Sequence, residues 1–173
     1  MVETALETFE KVSQHVVHLK KELSRLNGET ESLEKRLREV RDRLTKTELE
    51  VAEIAAEIRK RRHEINELRH KIKKHDAVLK RLDPHTAPHE YERLMGERVE
   101  LNDRLNDLLQ QLDQLHERYD QKLSEEEALI GQEVDLEERL EKLRERYRGL
   151  LREISRLAHD LDRTVRSVEA KYL

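Results

Sequence analysis

The 173-residue sequence contains no cysteine and no tryptophan, and it has only four glycines, two prolines and 3% aromatic residues. The absence of cysteine excludes disulfides, thiolate zinc sites and a cysteine nucleophile from these residues. Few aromatic side chains leave little bulk for filling a three-dimensional core, while 43% of the residues are charged. Two classes of chain fit this composition: an intrinsically disordered one, or a long helix whose core is a narrow seam.

A large net charge and long apolar runs are also missing. The formal net charge is −4. This value indicates neither a strongly basic nucleic-acid-binding protein nor a strongly acidic protein that mimics a polyanion. No apolar run is longer than three residues, so no segment is predicted to span a membrane. The sequence opens directly into charged helical residues without a signal-peptide pattern. We therefore expect a cytoplasmic protein that does not contact membranes.

Apolar side chains recur along the first half of the chain in alternating steps of four and three residues, from Ala5 to Leu82. Nineteen of these 23 seam positions are apolar. The exceptions are all polar: Thr30, Thr47, Arg61 and His75. A seven-residue repeat that keeps its phase over this length predicts a left-handed coiled coil rather than disorder.

Both prolines lie in the segment 83–88, where the repeat stops. Proline disfavours α geometry in the residue before it, so the first helix is predicted to end at Asp83. Pro88 suits the first turn of a new helix, where its missing N–H is not needed. The segment contains no glycine, which indicates a short, stiff turn.

A second seam of 23 positions follows this turn, from Tyr91 to Val168. When the chain is folded at the turn, each seam residue i of one half meets residue 173 − i of the other, as Leu68 meets Leu105. This mirror register predicts an all-α fold, a single domain over residues 1–173 in which two long helices form an antiparallel left-handed coiled-coil hairpin. The predicted segments are helix 1 at about 3–83, the turn at 84–88 and helix 2 at about 89–171.

The register also predicts several polar layers inside the seam. They include His75 facing Arg98, Arg61 facing Leu112, Val51 facing Lys122, Thr47 facing Glu126, and Val40 facing Glu133. The favoured interpretation is that these layers specify the register at some cost in stability, and the alternative is a hinge or docking site. We expect local opening or bending in the stretch 124–133, which holds three consecutive glutamates and Gly131.

The second helix has a wider apolar face than a two-helix seam requires. The row that directly follows its second set of seam positions contains Met95, Leu109, Leu123, Ile130, Leu151 and Val165. A wider apolar stripe suits a bundle of three or more helices. Two interpretations stay open: these residues bind a helical partner or a second copy of the chain, or they flank the seam and complete its burial.

Basic residues are concentrated in the segment Arg59–Arg81, which has ten Lys and Arg against three acids. The mirrored segment 92–114 has six acids and three Arg, so pairing between the two helices is the favoured interpretation. The remaining positive charge would attract phosphate groups. The predicted phosphate contacts are Lys60, Arg62, Lys73 and Lys74. Aromatic residues for stacking on bases are missing apart from Tyr91, which disfavours sequence-specific RNA recognition.

Neither catalytic nor metal-binding motifs are recognisable. The sequence has no nucleotide-binding loop, nucleophile elbow or zinc-protease helix, and a two-helix coiled coil has no pocket that desolvates reacting groups. His85 and His89 flank the turn, but no further ligand completes a tetrahedral set at a known spacing. We predict a protein that is not an enzyme and that has no catalytic residues, metal or cofactor.

The start of the second helix reads Pro88-His89-Glu90-Tyr91-Glu92-Arg93-Leu94-Met95-Gly96-Glu97. It resembles the C4-type zinc-ribbon coiled-coil family, in which a Pro-x-Glu-Tyr-x-x-Leu-x-x-Glu stretch opens the second helix of a long hairpin. Proteins of that family look like adaptors, some of them associated with flagellar or type III secretion control. Because cysteine is absent, the resemblance covers the hairpin and not the zinc ribbon. It implies a partner-binding turn region at Pro88, Glu90, Tyr91 and Leu94.

The leading hypothesis is a cytoplasmic scaffold or adaptor that binds protein partners along the hairpin or at its turn. A first alternative is a stalk-like component of an export or rotary machine, with residues 1–20 and 155–173 inserted into a ring. A second alternative is a nucleic-acid-binding rod that uses the basic face Arg59–Arg81.

Overall fold

The computed structural model describes residues 2–172. It consists of two helices, α1 at Val2–Arg81 and α2 at Pro88–Tyr172, and no strand occurs in the described residues. The two helices pack against each other in antiparallel orientation, which confirms the predicted all-α hairpin. α1 ends two residues before the predicted Asp83, and α2 begins one residue before the predicted start.

The earlier end of α1 follows from the hydrogen bonds that Asp83 accepts. The N–H of Leu82 still donates to the carbonyl of Val78 at 3.1 Å, which is the last helical hydrogen bond of α1. The backbone oxygen of Asp83 accepts the N–H of Ala87 at 3.1 Å, and its carboxylate accepts the N–H of His85 at 2.9 Å. Asp83 therefore organises the turn through its own side chain, as Asp commonly does.

α2 begins at Pro88 because the carbonyl of Ala87 accepts the first helical hydrogen bond, from the N–H of Tyr91 at 3.0 Å. Pro88 is thus the first helical residue, the position at which a missing N–H costs nothing. The Thr86 hydroxyl donates to the backbone oxygen of Asp83 at 3.3 Å. This bond joins the end of the turn to its start.

The core consists of the predicted seam. Every buried hydrophobic residue occupies a seam position: Leu19, Leu26, Leu37, Val40, Ile54, Ile58, Ile65, Leu68, Ile72, Leu108, Leu129, Leu136 and Leu140. Thr47, a buried polar residue, is also a seam position. From Val12 to Val168 every seam side chain is buried or half-buried, and Phe9 is the exposed one among those described.

The chain divides into two compact units. The terminal unit contains the residues up to Asp42 and from Leu129 on, and the turn unit is Arg43–Ala128. The division lies among three of the predicted polar layers, between Val40–Glu133 and Val51–Lys122. α2 continues through Gly131 in helical geometry, so the local opening expected there stays a prediction, as does the single domain.

Ion pairs at the flanks of the seam report the register of the terminal unit. On one flank, Arg41 contacts Glu137 at 2.8 Å and Arg144 contacts Glu34 at 3.6 Å. On the other flank, the pairs are Glu22–Arg146 at 3.8 Å and His15–Glu153 at 3.4 Å. The residue numbers of these pairs add to 178 on the first flank and to 168 on the second. They bracket the predicted 173 symmetrically, as an antiparallel coiled coil requires.

A leucine-rich cluster reports the register of the turn unit. Ile65, Leu68 and Leu108 form a buried cluster against which Leu101, Leu105, Leu109 and Leu112 pack. Ile65 with Leu108, and Leu68 with Leu105, are pairs that the predicted register places opposite each other. In heptad terms the seam occupies positions a and d, the flanks are e and g, and positions b, c and f point outward.

Candidate partner-binding surfaces

The described part of the chain offers surfaces rather than enclosed sites. Among the side chains that the structure describes, no three of His, Cys, Asp or Glu are grouped so that they could hold a metal ion. Within residues 2–172, no helix is long and apolar enough to cross a membrane. The depressions are open grooves beside the seam, such as the one lined by Gly28, Leu33 and Leu143.

One polar layer of the seam is incompletely satisfied. Arg61 contacts two acids of its own helix, Glu64 at 3.4 Å and Glu57 at 3.8 Å. Its Nε atom, however, is buried without a hydrogen-bond partner. An unsatisfied buried donor costs stability, so this layer is a source of local instability within the turn unit.

The layer of His75 and Arg98 is fully paired. His75 Nε2 lies 3.0 Å from a Glu97 carboxylate oxygen, and Nδ1 lies 3.1 Å from the Lys71 backbone oxygen. Arg98 Nε donates to Asp76 Oδ1 at 2.7 Å. Because both ring nitrogens face acceptors, the geometry favours the imidazolium. Glu97 first, and then the Lys71 carbonyl, raise the pKa of His75 above its usual value.

Lys122 forms a third polar layer, at a seam position of α2 where the heptad pattern favours an apolar residue. Its ammonium contacts Glu50 of α1 at 2.6 Å and Glu125 of its own helix at 3.1 Å. The hydrogen bond to Glu50 raises the pKa of Lys122, and the same bond lowers the pKa of Glu50. These partners lie within the hairpin, which supports the interpretation that polar layers specify the register.

The structure separates the apolar row of α2 into two kinds of residue. Leu109 and Leu123 are half-buried, and Leu109 packs against the leucine-rich cluster of the turn unit. These two side chains complete the burial of the seam. The other four are exposed: Met95, Ile130, Leu151 and Val165.

In the terminal unit the exposed apolar row continues to the end of α2. Leu151, Val165 and Tyr172 are 44%, 39% and 51% exposed, and Ala158 between them is exposed as well. Seven residues correspond to a rise of about 10.5 Å, so these four side chains align along one flank of the helix. We call them the α2 stripe. Leu6, 60% exposed, occupies the same flank on α1.

The region next to the turn presents fewer side chains than the family resemblance implies. Pro88 and Glu90 are exposed, but Tyr91 and Leu94 are half-buried because they are seam positions. His85 and His89 are both exposed. A partner that binds here would contact mainly the backbone and the polar side chains of the turn, and its existence stays a prediction.

Within the described residues, none of the Lys and Arg side chains of the basic segment Arg59–Arg81 pairs with an acid of α2. Of its ten cations, Arg61 makes ion pairs within the described residues, and those are with its own helix. The other nine are exposed and in no ion pair with a described residue: Arg59, Lys60, Arg62, Arg69, Lys71, Lys73, Lys74, Lys80 and Arg81. The expected pairing is wrong because most of these residues occupy outward positions, from which a side chain cannot reach the partner helix.

The outer face of α2 in the same unit carries the opposite charge. Among the described residues, its exposed acids that make no ion pair are Glu92, Glu100, Asp103, Asp107, Asp113, Glu117, Asp120 and Glu127. Three exposed arginines, Arg93, Arg104 and Arg118, lie among them. The turn unit is therefore basic on the outside of α1 and mainly acidic on the outside of α2.

Comparison of the chain with protein-family models, with curated proteins and with solved structures finds no match. The resemblance of residues 88–97 to the zinc-ribbon hairpin family therefore stays a prediction, and the function has to be argued from the surfaces themselves.

Proposed function

We propose that the protein is a non-enzymatic coiled-coil scaffold whose terminal unit binds a helix of a protein partner along the α2 stripe. The observation that supports this function is the exposure of apolar side chains at seven-residue intervals, from Leu151 to Tyr172. Helices pack against each other through this repeat. The seam of the hairpin already has its own complete repeat, so the α2 stripe is an additional one. The absence of cysteine supports a cytoplasmic setting.

The size of the α2 stripe suits reversible binding. Full burial of a Leu or Val side chain stabilises by about 1.5–3 kcal/mol, and these side chains are already partly covered by the hairpin. Burying what remains exposed of the α2 stripe and of Leu6 would contribute a few kcal/mol at most, before the cost of association. We expect a partner that binds in the micromolar range rather than a permanent subunit.

Site-specific photocrosslinking tests this assignment. A photoreactive amino acid at position 151 or 165 is expected to link the intact protein to one partner in cells. The same amino acid at Ser155, an exposed outward position of the same helix, is the matched control and should not form the link. Equal crosslinking at all three positions would contradict a stripe-directed interaction.

A purified partner then allows a quantitative test. Leu151→Glu with Val165→Glu is expected to weaken binding at least tenfold, because each charge would enter an apolar contact. Ser155→Glu adds charge on the neighbouring face and should leave the affinity unchanged. Crosslinks that form equally from α2 and from Val17 on the outside of α1 would instead indicate insertion into a ring, as the stalk alternative requires.

A further inference from the structure

The outer face of α1 in the turn unit carries its positive charge in three doublets. They are Arg59-Lys60, Lys73-Lys74 and Lys80-Arg81. All six side chains are exposed and at outward positions, and in the part of the chain that the structure describes none of them is in an ion pair. The doublets are separated by about 21 Å and about 10.5 Å along the helix at a rise of 1.5 Å per residue. They form a discontinuous strip, in which each doublet lies at a defined distance from the turn along α1.

Acidic side chains on the outer face of α2 lie at the same distances from the turn as the three doublets. Under the register that pairs residue i with 173 − i, Arg81 corresponds to Glu92, Lys73 to Glu100 and Lys60 to Asp113. All three acids are exposed and make no ion pair. Each doublet therefore has a carboxylate at the same distance from the turn, on the opposite side of the hairpin.

These charges cannot satisfy one another within a single molecule. Both members of each pair occupy b or c positions, and those positions point away from the seam on the two sides of the hairpin. The complementarity can be used only when the outside of α1 meets the outside of α2 of another molecule.

We propose that a second copy of this chain docks laterally on the turn unit, with the acidic outer face of its α2 against the basic outer face of α1. The two copies lie side by side with their turns at the same end, since this orientation brings all three doublets level with their acids. The contact joins two different surfaces, so each added copy leaves one basic and one acidic face free. Such a contact is open-ended and allows growth beyond a dimer.

The spacing of the charges favours a second copy over a nucleic acid. At the outward b and c positions, the longest interval without a cation lies between Lys60 and Lys73, and it contains Glu67, which pairs with His63 at 3.0 Å. The other exposed cations of this interval, Arg62, Arg69 and Lys71, occupy the flanks of the seam. A gap of equal length separates Glu100 from Asp113 on the acidic face. A phosphate backbone presents charge at short, regular intervals, which does not match this spacing. Binding of a nucleic acid would also not require acids on the outer face of α2 at the same distances from the turn.

The association is expected to be weak and sensitive to salt. Exposed ion pairs contribute little individually, and the Debye length is about 8 Å at physiological ionic strength but about 30 Å at 0.01 M. Sedimentation velocity of the full chain at 0.01 M salt should show a weight-average mass that rises with concentration. At 0.15 M salt the association constant should fall at least tenfold.

Two charge-reversal variants test the geometry. One carries Lys60→Glu, Lys73→Glu and Arg81→Glu, and the other carries Glu92→Lys, Glu100→Lys and Asp113→Lys. All six sites are exposed outward positions, so circular dichroism should show unchanged helicity. Each variant alone should sediment as a monomer at 0.01 M salt, whereas their equimolar mixture should associate again. Association of either variant alone, or a mixture that stays monomeric, would overturn the proposal.

Two further measurements separate this lateral contact from the α2 stripe and from nucleic-acid binding. The Leu151→Glu, Val165→Glu variant is expected to self-associate like the native chain, and loss of association there would assign the contact to the α2 stripe instead. The second measurement uses a 20-nucleotide single-stranded RNA. If the native chain binds it and remains monomeric in its absence at 0.01 M salt, the basic face is a nucleic-acid site and the second copy is excluded.

Discussion

The two units use the same heptad pattern but place their charges differently. Each contributes 23 seam positions. In the terminal unit the polar ones are Thr30, Glu133 and Thr164, whereas in the turn unit they are Thr47, Arg61, His75, Arg98, Lys122 and Glu126. Among the described residues, the terminal unit has four interhelical ion-pair sites at its flanks. In the turn unit the ion pairs that join the two helices each include a seam residue. Apart from His63–Glu67, the outward charges described in the turn unit make no ion pair.

This difference shows that the position of a charge within the heptad decides what the charge can do. At the flanks, as in Arg41–Glu137, a pair joins the helices and reports the register. In the seam, as with Arg61, a charge must find partners nearby or lose stability. At outward positions, as with Lys73, a charge has no partner within the hairpin and is available to another molecule.

Replacing Arg61 by Leu should produce the largest change in stability. The substitution removes the buried, unpartnered Nε and adds an apolar side chain beside the leucine-rich cluster of the turn unit. We expect a gain of about 1–2 kcal/mol in the free energy of unfolding, because a buried charge is often less stabilising than an apolar residue of similar volume. Urea denaturation and hydrogen exchange of the turn unit measure it.

The matched control for this substitution is Arg62→Leu. Arg62 is exposed and in no ion pair, so its replacement should change stability by less than about 0.5 kcal/mol. If Arg61→Leu is destabilising, the contacts of Arg61 with Glu57 and Glu64 contribute more than its desolvation costs. The charges in the seam of the turn unit would then stabilise it, whereas we expect them to lower its stability relative to an apolar seam.

Alanine at the glycines of α2 should give a smaller gain and would show whether the units unfold separately. A Cβ atom added at Gly131 in the terminal unit, or at Gly96 in the turn unit, meets nothing within 4 Å. Each Gly→Ala change is therefore expected to stabilise by up to about 1 kcal/mol. Hydrogen exchange should show the gain of Gly131→Ala only in the terminal unit and that of Gly96→Ala only in the turn unit. Equal protection of both units by each variant would mean that they unfold together.

The sequence predicts the seam and the register because both depend only on the spacing of apolar residues. The buried cluster of Ile65, Leu68 and Leu108 follows directly from that spacing. Burial at the flanks does not follow from it, as two residues of the same heptad position show. Leu109 is half-buried and shares a groove with the long side chain of Arg69, whereas Leu151 is exposed. Heptad position alone therefore does not decide how far a flanking side chain is buried.

The unpaired charges of the turn unit were predictable, but only from helical positions rather than from charge totals. Comparing the net charge of Arg59–Arg81 with that of residues 92–114 suggests pairing between the helices. Assigning each residue to its heptad position shows instead that Lys60, Lys73 and Arg81 point outward. The end of α1 at Arg81 is a different case, because it depends on which hydrogen bonds Asp83 accepts.

The smallest expected effect is the pH dependence of the His75 layer in the turn unit. Glu97 and the Lys71 carbonyl raise the pKa of His75 in the folded state. The stability that this charge contributes is therefore fully present below the unfolded pKa of about 6.5. It is lost as the pH rises through the higher folded pKa. The neighbouring charges, Asp76 and Arg98, pair with each other at 2.7 Å.

The measurement is the difference in melting temperature between the native chain and His75→Gln from pH 5.5 to 9. The other eight histidines are common to both proteins, so their titration cancels in the difference. The advantage of the native chain should be largest at the acidic end and shrink steadily with rising pH. Glu97→Gln should flatten this trend, because it removes the carboxylate that raises the pKa of His75. A difference that does not change with pH would mean that His75 contributes by packing alone, and the turn unit would then resemble the terminal unit more closely than its seam suggests.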